Sequence, residues 1–215
     1  MTAPIVIADD HPLMRGALEQ AIGRVMPEMP ICEADNLAGA RAVLHEQGAS
    51  LLLLDIHMSD SDGFAGLIAL RHDFPAIPII VVSASDDDWV ISRAAQFGAS
   101  GFIPKSSSMA DISDAFEAVM AGDLSFPEIT DEAHASEGED EAVRQIATLT
   151  PAQLRVLIGL TEGRLNKQIA YEMDISEATV KAHVTAVFRK LDVINRTQAV
   201  IKANALIVAE DQVAD

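Results

Sequence analysis

Five side chains suited to metal and phosphoryl chemistry stand at the ends of short apolar runs in the first half of the chain. They are Asp9 and Asp10 after one run, Asp55 closing a second, Ser83 after a third and Lys105 after a fourth. Short apolar runs bounded by turn residues are typical of buried strands. Because ligands bind at the carboxyl ends of the strands in open α/β sheets, we expect the five side chains to share one edge. The sequence therefore predicts a magnesium and phosphoryl site.

The three carboxylates predict a divalent cation because Mg²⁺ prefers hard oxygen ligands. Asp10 and Asp55 are expected to bind it directly, with the backbone carbonyl of His57 as a third protein ligand and Asp9 holding a metal-bound water. Any one of these acids could equally be a surface residue, but three crowded carboxylates repel one another unless a cation neutralises them. With metal bound, Asp55 is a plausible nucleophile toward a phosphoryl group. The lysine and the serine could then offset charge on its oxygens.

Strand and helix patterns alternate through residues 1–125. The strand candidates are Ile5–Ala8, Ile31–Ala34, Leu51–Leu54, Ile79–Val82 and Gly101–Ile103, with helical patterns such as Leu13–Val25 and Ala38–His45 between them. Five β/α units predict a doubly wound parallel sheet of flavodoxin-like order. Pro104 places the last strand at an edge, because proline cannot donate to a central ladder.

The second part of the chain differs in charge and pattern. Residues 126–147 are rich in acids and predict a solvated linker. From Thr150, with Pro151 and Gln153 completing a capping box, residues 148–208 show four helical segments and no strand. Residues 209–215 are an acidic tail. The sequence thus predicts an α/β unit followed by a small all-α unit.

Composition narrows the class of protein further. The chain of 215 residues is 49% hydrophobic, which is enough for two packed cores, and its single cysteine suits a reducing cytosol. No apolar run approaches the ~20 residues of a membrane helix, so we expect a cytoplasmic protein. The net charge of −18 lies in residues 1–148, whereas residues 149–208 carry +3. The net positive charge of residues 149–208 is therefore compatible with nucleic-acid binding by that part of the chain.

The acid pair, the segment around Asp55, Ser83-Ala84 and Lys105 resemble the receiver domain of two-component response regulators. The resemblance implies transfer of a phosphoryl group to Asp55 from a sensor histidine kinase or a phosphotransfer protein. It also implies that Phe102 is the switch aromatic, whose ring turns inward when the Ser83 hydroxyl moves toward the phosphate; plain core packing is the alternative. Ser59 stands where the family usually has proline.

The segment from Asn166 to Leu191 has the form helix, tight turn, helix, with Ser176 able to cap the second helix. Val180, Val184, Val187 and Leu191 fall on one face of that helix. A different face is small, polar and cationic, as a helix in the DNA major groove requires; its residues are Ala178, Lys181, Ala182, Thr185 and Arg189. A generic amphipathic helix would show a similar stripe.

A wider set of residues resembles the LuxR-type helix-turn-helix domain, including Asn166–Ala170, Thr179-Val180-Lys181 and Asn195-Arg196-Thr197. With the receiver, this is similar to a transcriptional regulator of the NarL/FixJ type. The resemblance implies that Lys181, Ala182 and Thr185 face base edges of double-stranded DNA, and that Thr179, Lys190 and Arg196 contact phosphates. It further implies a homodimer when phosphorylated, paired through the last helix. The apolar stripe of that helix could equally pack within its own small domain; its residues are Ala199, Val200, Ala203, Leu206 and Ile207.

Two other functions compete with a phosphorylation-dependent regulator. A magnesium-dependent aspartyl-phosphate phosphatase normally has a second Asp two residues after its nucleophile, where this chain has His57, so we expect no turnover enzyme. A phosphorylation-independent interaction protein would use the same two units without the acceptor chemistry. Every residue expected of an acceptor site is present, which favours the regulator.

Overall fold

The computed structural model of the chain describes residues 3–129 and 137–203, which form two compact units. In chain order the first unit contains β1 (Ile5–Ala8), α1 (Pro12–Val25), β2 (Ile31–Ala34), α2 (Leu37–Gln47), β3 (Leu51–Asp55), β4 (His57–Met58), β5 (Ser61–Asp62), α3 (Ala65–Asp73), β6 (Ile79–Ser83), α4 (Asp88–Gln96), β7 (Gly101–Pro104) and α5 (Met109–Ala121). Five strands pair in parallel in the order β2-β1-β3-β6-β7. This confirms the predicted doubly wound, flavodoxin-like sheet.

The central strands are covered on both faces, so they are apolar up to the polar residues Asp55 and Ser83 that end β3 and β6. Every residue of β1, β3 and β6 is buried. Ile7 and Leu53 lie in one core cluster with Leu18 of α1 and Phe116 of α5. Strand β7 lies at the edge next to β6, as Pro104 predicted. The packed sheet therefore fixes where each strand ends.

The second unit is built from helices alone among its described residues. They are α6 (Glu137–Ala147), α7 (Pro151–Thr161), α8 (Asn166–Glu172), α9 (Glu177–Lys190) and α10 (Arg196–Ala203). The last four agree with the four helical segments expected after residue 148. The predicted acidic tail, residues 209–215, and residues 204–208 lie outside the described part of the chain.

Helix α6 departs from the solvated linker predicted for residues 126–147. Ala142, Val143 and Ile146 are buried, and α6 contacts α10. The acidic composition of this segment favoured a linker in the sequence analysis. Three apolar residues at helical spacing are nevertheless enough to stabilise a helix when a neighbouring helix covers them. The described residues 137–147 therefore belong to the helical unit rather than to a linker; residues 130–136 lie outside the description.

Helices α8 and α9 form the predicted helix, turn and helix. Asp174 in the turn has φ of 52°, a left-handed backbone that Asp tolerates better than most residues. The Ser176 side chain accepts from the Thr179 backbone N–H at 3.1 Å, which caps α9 as predicted. Val180 and Val187 are fully buried against the unit. Packing of that face leaves the opposite face of α9 toward solvent.

Candidate functional site

The sheet brings the five predicted side chains of the first unit to one edge. Asp9 follows β1, Asp55 ends β3, Ser83 ends β6 and Lys105 follows β7. The parallel register sets these strand ends side by side, with Ala8 opposite Leu54 and Asp55 opposite Val82. Asp9, Asp55 and Ser83 are buried, whereas Asp10 and Lys105 are half-buried.

Asp55 is held at the centre of this edge by two donors. The His57 backbone N–H donates to Asp55 Oδ1 at 2.9 Å, and Lys105 Nζ donates to Asp55 Oδ2 at 2.7 Å. Lys105 Nζ also lies 3.0 Å from Asp9 Oδ2. The Lys105 backbone N–H donates to the Ser83 carbonyl at 2.6 Å, which fixes the lysine beside the serine. One cation thus bridges two buried carboxylates.

Burial and the charged partners of Asp55 act on its pKa in opposite directions. Burial raises the pKa of the Asp55 carboxyl above its ordinary value, although hydrogen bonds from Lys105 and from the His57 N–H act in the opposite direction. Burial alone would lower the pKa of Lys105, but its interactions with Asp55 and Asp9 raise it above the ordinary value. Lys105 is therefore charged at neutral pH.

Replacing Asp55 with Asn is expected to stabilise the folded chain relative to the wild type, and increasingly so as pH rises above 3.8 and through the pKa of the folded state. The folded state raises the pKa of the Asp55 carboxyl above 3.8, so the protonated carboxyl favours folding. This contribution to the stability of the wild type is fully present below pH 3.8 and is lost as pH rises through the folded pKa. Asn does not titrate, so the variant loses nothing over the same range. Urea unfolding of both proteins at several pH values measures the difference, and a difference that shrinks with pH would contradict the account.

Carboxylate geometry at this edge fits a divalent cation. One ligand atom from each of Asp9, Asp10, His11 and Asp55 lies within 4.8 Å of the others. Asp10 Oδ1 is buried, and His11 Nδ1 lies 2.8 Å from it. Three carboxylates this close together repel one another, and a bound cation would offset their charge beyond what Lys105 supplies. The sequence analysis missed His11, although its place directly after the acid pair was a usable signal.

The loop that follows Asp55 is tied to the neighbouring helix. His57 pairs with Asp62 and Met58 pairs with Ser61 in the short hairpin of β4 and β5. At its tip, the Asp60 carboxylate accepts from the backbone N–H groups of Leu37 at 2.8 Å and Ala38 at 3.0 Å. A carboxylate at a helix N-terminus satisfies orphan N–H groups and interacts favourably with the dipole. The polar loop is therefore anchored to α2.

Asp60→Ala is expected to lower the free energy of unfolding by about 1 kcal/mol, because two N–H groups of α2 lose their acceptor. Chemical denaturation followed by far-UV circular dichroism measures the loss. Ser59→Ala, at the exposed neighbouring position, serves as the matched control and should stay close to the wild type. Equal stability of the Asp60 variant and that control would show that this contact does not hold the loop.

Phe102 lies in β7 and is almost completely buried. Its backbone N–H donates to the Ser125 carbonyl at 2.8 Å, and its neighbour across the ladder is Val81. Ser83 Oγ accepts from the Ser85 backbone N–H at 3.2 Å. The two residues predicted to form a switch therefore stand on adjacent strands, at and near the edge that carries Asp55.

The candidate nucleic-acid interface is the exposed face of α9. Five residues predicted to meet DNA are solvent-exposed there: Thr179, Lys181, Ala182, Thr185 and Arg189. Lys181 Nζ lies 3.0 Å from Glu177 Oε1 one turn away, and the Thr185 hydroxyl donates to the Lys181 carbonyl at 3.0 Å. These are local contacts of one helix, so the face remains available to a partner.

Two other residues predicted to contact phosphates make internal hydrogen bonds. Lys190 Nζ donates to the Thr148 carbonyl at 2.7 Å. The Arg196 guanidinium donates to the carbonyls of Leu160 at 3.0 Å and Arg164 at 2.9 Å, at the end of α7. Helix ends leave carbonyls unpaired, and a cation there also interacts favourably with the dipole. Lys190 and Arg196 therefore stabilise the helical unit, a role that their sequence pattern did not reveal.

Arg196→Ala is expected to destabilise the helical unit by about 1.5–3 kcal/mol, the range for hydrogen bonds to a charged group. Amide hydrogen exchange in α7 measures this locally, which matters because a chain of two units need not unfold in one step. Arg189→Ala removes an exposed cation from α9 and is the control, with a change within about 0.5 kcal/mol. Equal protection of α7 in both variants would contradict a structural role for Arg196.

Comparison with known proteins agrees with both units. Residues 5–117 match the family model of the response regulator receiver domain, and residues 147–203 match that of bacterial regulatory proteins of the luxR family. The chain therefore belongs to the two-component response regulators of the NarL/FixJ type. As a receiver joined to a LuxR-type helix-turn-helix domain, it is a DNA-binding transcriptional regulator.

Particular relatives resemble it along nearly their whole length. It is 41% identical over 207 residues to the glycerol metabolism activator of Pseudomonas putida, covering 93% of this chain and 94% of that protein. It is 29% identical over 204 residues to the response regulator protein VraR of Staphylococcus aureus, covering 94% and 97%.

A solved structure shares the fold. It is RcsB from Salmonella enterica serovar Typhimurium bound to promoter P1flhDC in the presence of phosphomimetic BeF3⁻. The match has a TM-score of 0.56 and 20% identity, and it covers 95% of this chain and 99% of that one. Among the described residues, no helix is long and apolar enough to cross a membrane.

Proposed function

We propose that Asp55 accepts a phosphoryl group from a histidine kinase or phosphotransfer protein, and that this modification controls dimerisation and DNA binding. The observation that carries the proposal is the buried Asp55 carboxylate, held by Lys105 Nζ at 2.7 Å beside two further acids. A receiver domain implies a histidine kinase as partner. Aspartyl phosphate is a known covalent form of an enzymatic carboxylate.

The residues of the site have separate tasks in the transfer. An Asp55 carboxylate oxygen forms the bond to phosphorus while the bond from phosphorus to the donor imidazole nitrogen breaks and that nitrogen takes up a proton. Lys105 offsets negative charge on the phosphoryl oxygens, and the Ser83 hydroxyl donates to one of them. A Mg²⁺ ion held by Asp9, Asp10, Asp55 and the His57 backbone carbonyl would supply further positive charge there.

After transfer, the contacts of Lys105 and Ser83 couple the charge of the phosphoryl group to the conformation of the domain. A phosphoryl group on Asp55 gives Lys105 and Ser83 a new acceptor, so it favours the conformation in which both reach it. Movement of the Ser83 hydroxyl leaves room toward which the Phe102 ring can turn. Phosphorylation thereby biases a pre-existing equilibrium rather than creating a new fold.

The helical unit is the output of this switch. The exposed face of α9 enters the major groove, with Lys181, Ala182 and Thr185 toward base edges and Thr179, Lys190, Arg189 and Arg196 along the backbone. The likeness to the RcsB–promoter complex supports this placement by its fold. Pairing of two copies through α10 would use its outer face, where Ile201 is 64% exposed, because Ala199 and Ala203 are fully buried within the unit.

We further propose a receiver of residues 1–125 and a DNA-binding unit of residues 148–208 preceded by α6, acting in the cytoplasm without turnover chemistry of its own. The name of the 41% identical relative, glycerol metabolism activator, makes promoters of glycerol-metabolism genes the first candidate targets.

Selection of DNA from a random pool tests the regulator as a whole. The full-length protein is treated with a small phosphodonor such as acetyl phosphate, and an Asp55→Asn protein is treated identically. We expect a two-fold symmetric site to be enriched by the wild type and not by the variant. Equal enrichment by both proteins would favour the phosphorylation-independent alternative, and no enrichment by either would remove the DNA-binding assignment for α9.

A further inference from the structure

The chain segment that follows α5 is hydrogen-bonded to the edge of the sheet. Ser125 forms a parallel bridge with Gly101 of β7. The Ser125 backbone N–H donates to the Ser100 carbonyl at 3.0 Å, and the Phe102 backbone N–H donates to the Ser125 carbonyl at 2.8 Å. Ser125 therefore extends the sheet by one residue, beside the strand that carries the predicted switch aromatic.

Gly101 makes this pairing possible. A Cβ atom at residue 101 would lie 2.8 Å from the Ser125 carbonyl oxygen, 3.3 Å from Val119 Cγ2 and 3.4 Å from Ile80 Cγ1. The first distance is too short for a side chain, and glycine within a strand often marks such a close approach of another backbone. The residue at 101 is therefore suited to the paired segment.

Strand β7 also ends at the acceptor site. Pro104 is its last residue, and Lys105 follows with Nζ 2.7 Å from Asp55 Oδ2. Lys105 lies a few residues beyond Phe102, which is about 10 Å along an extended strand. A displacement of Lys105 therefore also moves the part of β7 that Ser125 contacts.

We infer that the pairing of Ser125 with β7 restrains the chain that leads to the helical unit, and that phosphorylation of Asp55 releases it. A phosphoryl group gives Lys105 and the Ser83 hydroxyl a new acceptor, and their movement toward it displaces the end of β7. The hydrogen bonds of Ser125 and the close packing at Gly101 tolerate little displacement, so the segment either pairs or leaves.

Release of the segment changes what the helical unit can reach. The chain that follows Ser125 runs on to α6, which begins at Glu137, so a released segment lengthens the connection to the helical unit. When two copies bind the half-sites of one DNA, the length of each connection sets the effective concentration of the second helical unit. The inference rests on the proposed function, because it requires that phosphorylation of Asp55 changes DNA binding.

Two substitutions in the full-length chain test the inference. Gly101→Ala places a methyl group against the Ser125 carbonyl, and Ser125→Pro removes the N–H that donates to the Ser100 carbonyl. Gly23→Ala is the matched control, because a Cβ atom there would meet nothing within 4 Å. Amide hydrogen exchange of the Phe102 N–H measures the pairing. We expect exchange at least about tenfold faster in both variants, and in wild type treated with acetyl phosphate, than in untreated wild type or control.

The affinity for a selected DNA site is measured on the same proteins. Without a phosphodonor, both variants should bind as tightly as phosphorylated wild type does. Acetyl phosphate should then change their affinity by less than about twofold, against about 5- to 150-fold in the wild type and the control.

An unchanged response to acetyl phosphate in a variant whose Phe102 N–H exchanges faster would overturn the inference. A Phe102 N–H that stays protected in phosphorylated wild type, or in both variants, would overturn it as well. Ser125→Pro leaves the packing around Gly101 intact, so it remains a valid test if Gly101→Ala disturbs the fold. A wild type that takes up phosphate without any change in DNA affinity would remove the proposed function first, and the inference with it.

Discussion

Asp55→Asn is expected to abolish phosphoryl incorporation completely. The amide oxygen of Asn is a far weaker nucleophile than a carboxylate, and Asp55 is the buried acid that the His57 N–H and Lys105 Nζ hold at the centre of the sheet edge. Asn has nearly the same size, and its single amide oxygen can still accept from the His57 N–H although the hydrogen bond from Lys105 is lost, so the backbone of the site should keep its shape. Incubation with labelled acetyl phosphate and mass measurement of the intact chain detect the loss.

The control for this substitution is Asp114→Asn, which replaces an exposed acid on α5 away from the sheet edge. It should incorporate phosphate at the wild-type rate. Incorporation into the Asp55 variant at a similar level would move the acceptor to another residue, with Asp10 as the first to examine. Incorporation into neither wild type nor control would instead point to a receiver that does not take up phosphate.

Lys181→Ala is expected to weaken binding to a selected DNA site by about 1–3 kcal/mol, which is about 5- to 150-fold. Lys181 is exposed in the middle of the solvent face of α9, where a long cation can reach a base edge. Because a base contact carries sequence information, the loss should be larger for the selected site than for random DNA. Fluorescence anisotropy at fixed salt measures both affinities.

Glu177 provides the matched control because its carboxylate lies 3.0 Å from Lys181 Nζ. Glu177→Ala removes the same ion pair and leaves the lysine in place, so DNA affinity should stay equal or rise as a negative charge leaves the surface. A loss in the Glu177 variant as large as that in the Lys181 variant would mean that the ion pair stabilises α9 rather than that Lys181 meets DNA.

The sequence predicts the fold well where local pattern and global packing agree. The predicted bounds of the five strands agree with the structure to within a residue, and the three central strands are the clearest because each is an apolar run that stops at a polar residue. The helix caps at Thr150 and Ser176 follow the same logic, since a hydroxyl with a backbone N–H three residues on is a local motif. Because the carboxyl ends of parallel strands share one edge of the sheet, these strand bounds are enough to predict that Asp55, Asp9, Ser83 and Lys105 lie together.

Contacts between distant segments are what the sequence did not reveal. Asp60 caps α2 from more than twenty residues away, and Arg196 closes the end of α7 from over thirty. Nothing in the local pattern of either residue specifies its acceptor or donor. Helix α6 was hidden for a related reason: its burial depends on α10, which lies far along the chain. His11 directly follows the acid pair, but its approach to Asp55 depends on β3 lying beside β1, which no local pattern specifies.

The central claim is that a phosphoryl group on Asp55 controls DNA binding by the helical unit. Its most direct test is the affinity of full-length protein for one selected DNA site, measured with and without acetyl phosphate in the wild type and in Asp55→Asn. We predict a change of about 5- to 150-fold in the wild type and none in the variant, which is the usual range of coupling between two sites. An equal response of both proteins, or no response of a wild type shown to be phosphorylated, would contradict the claim.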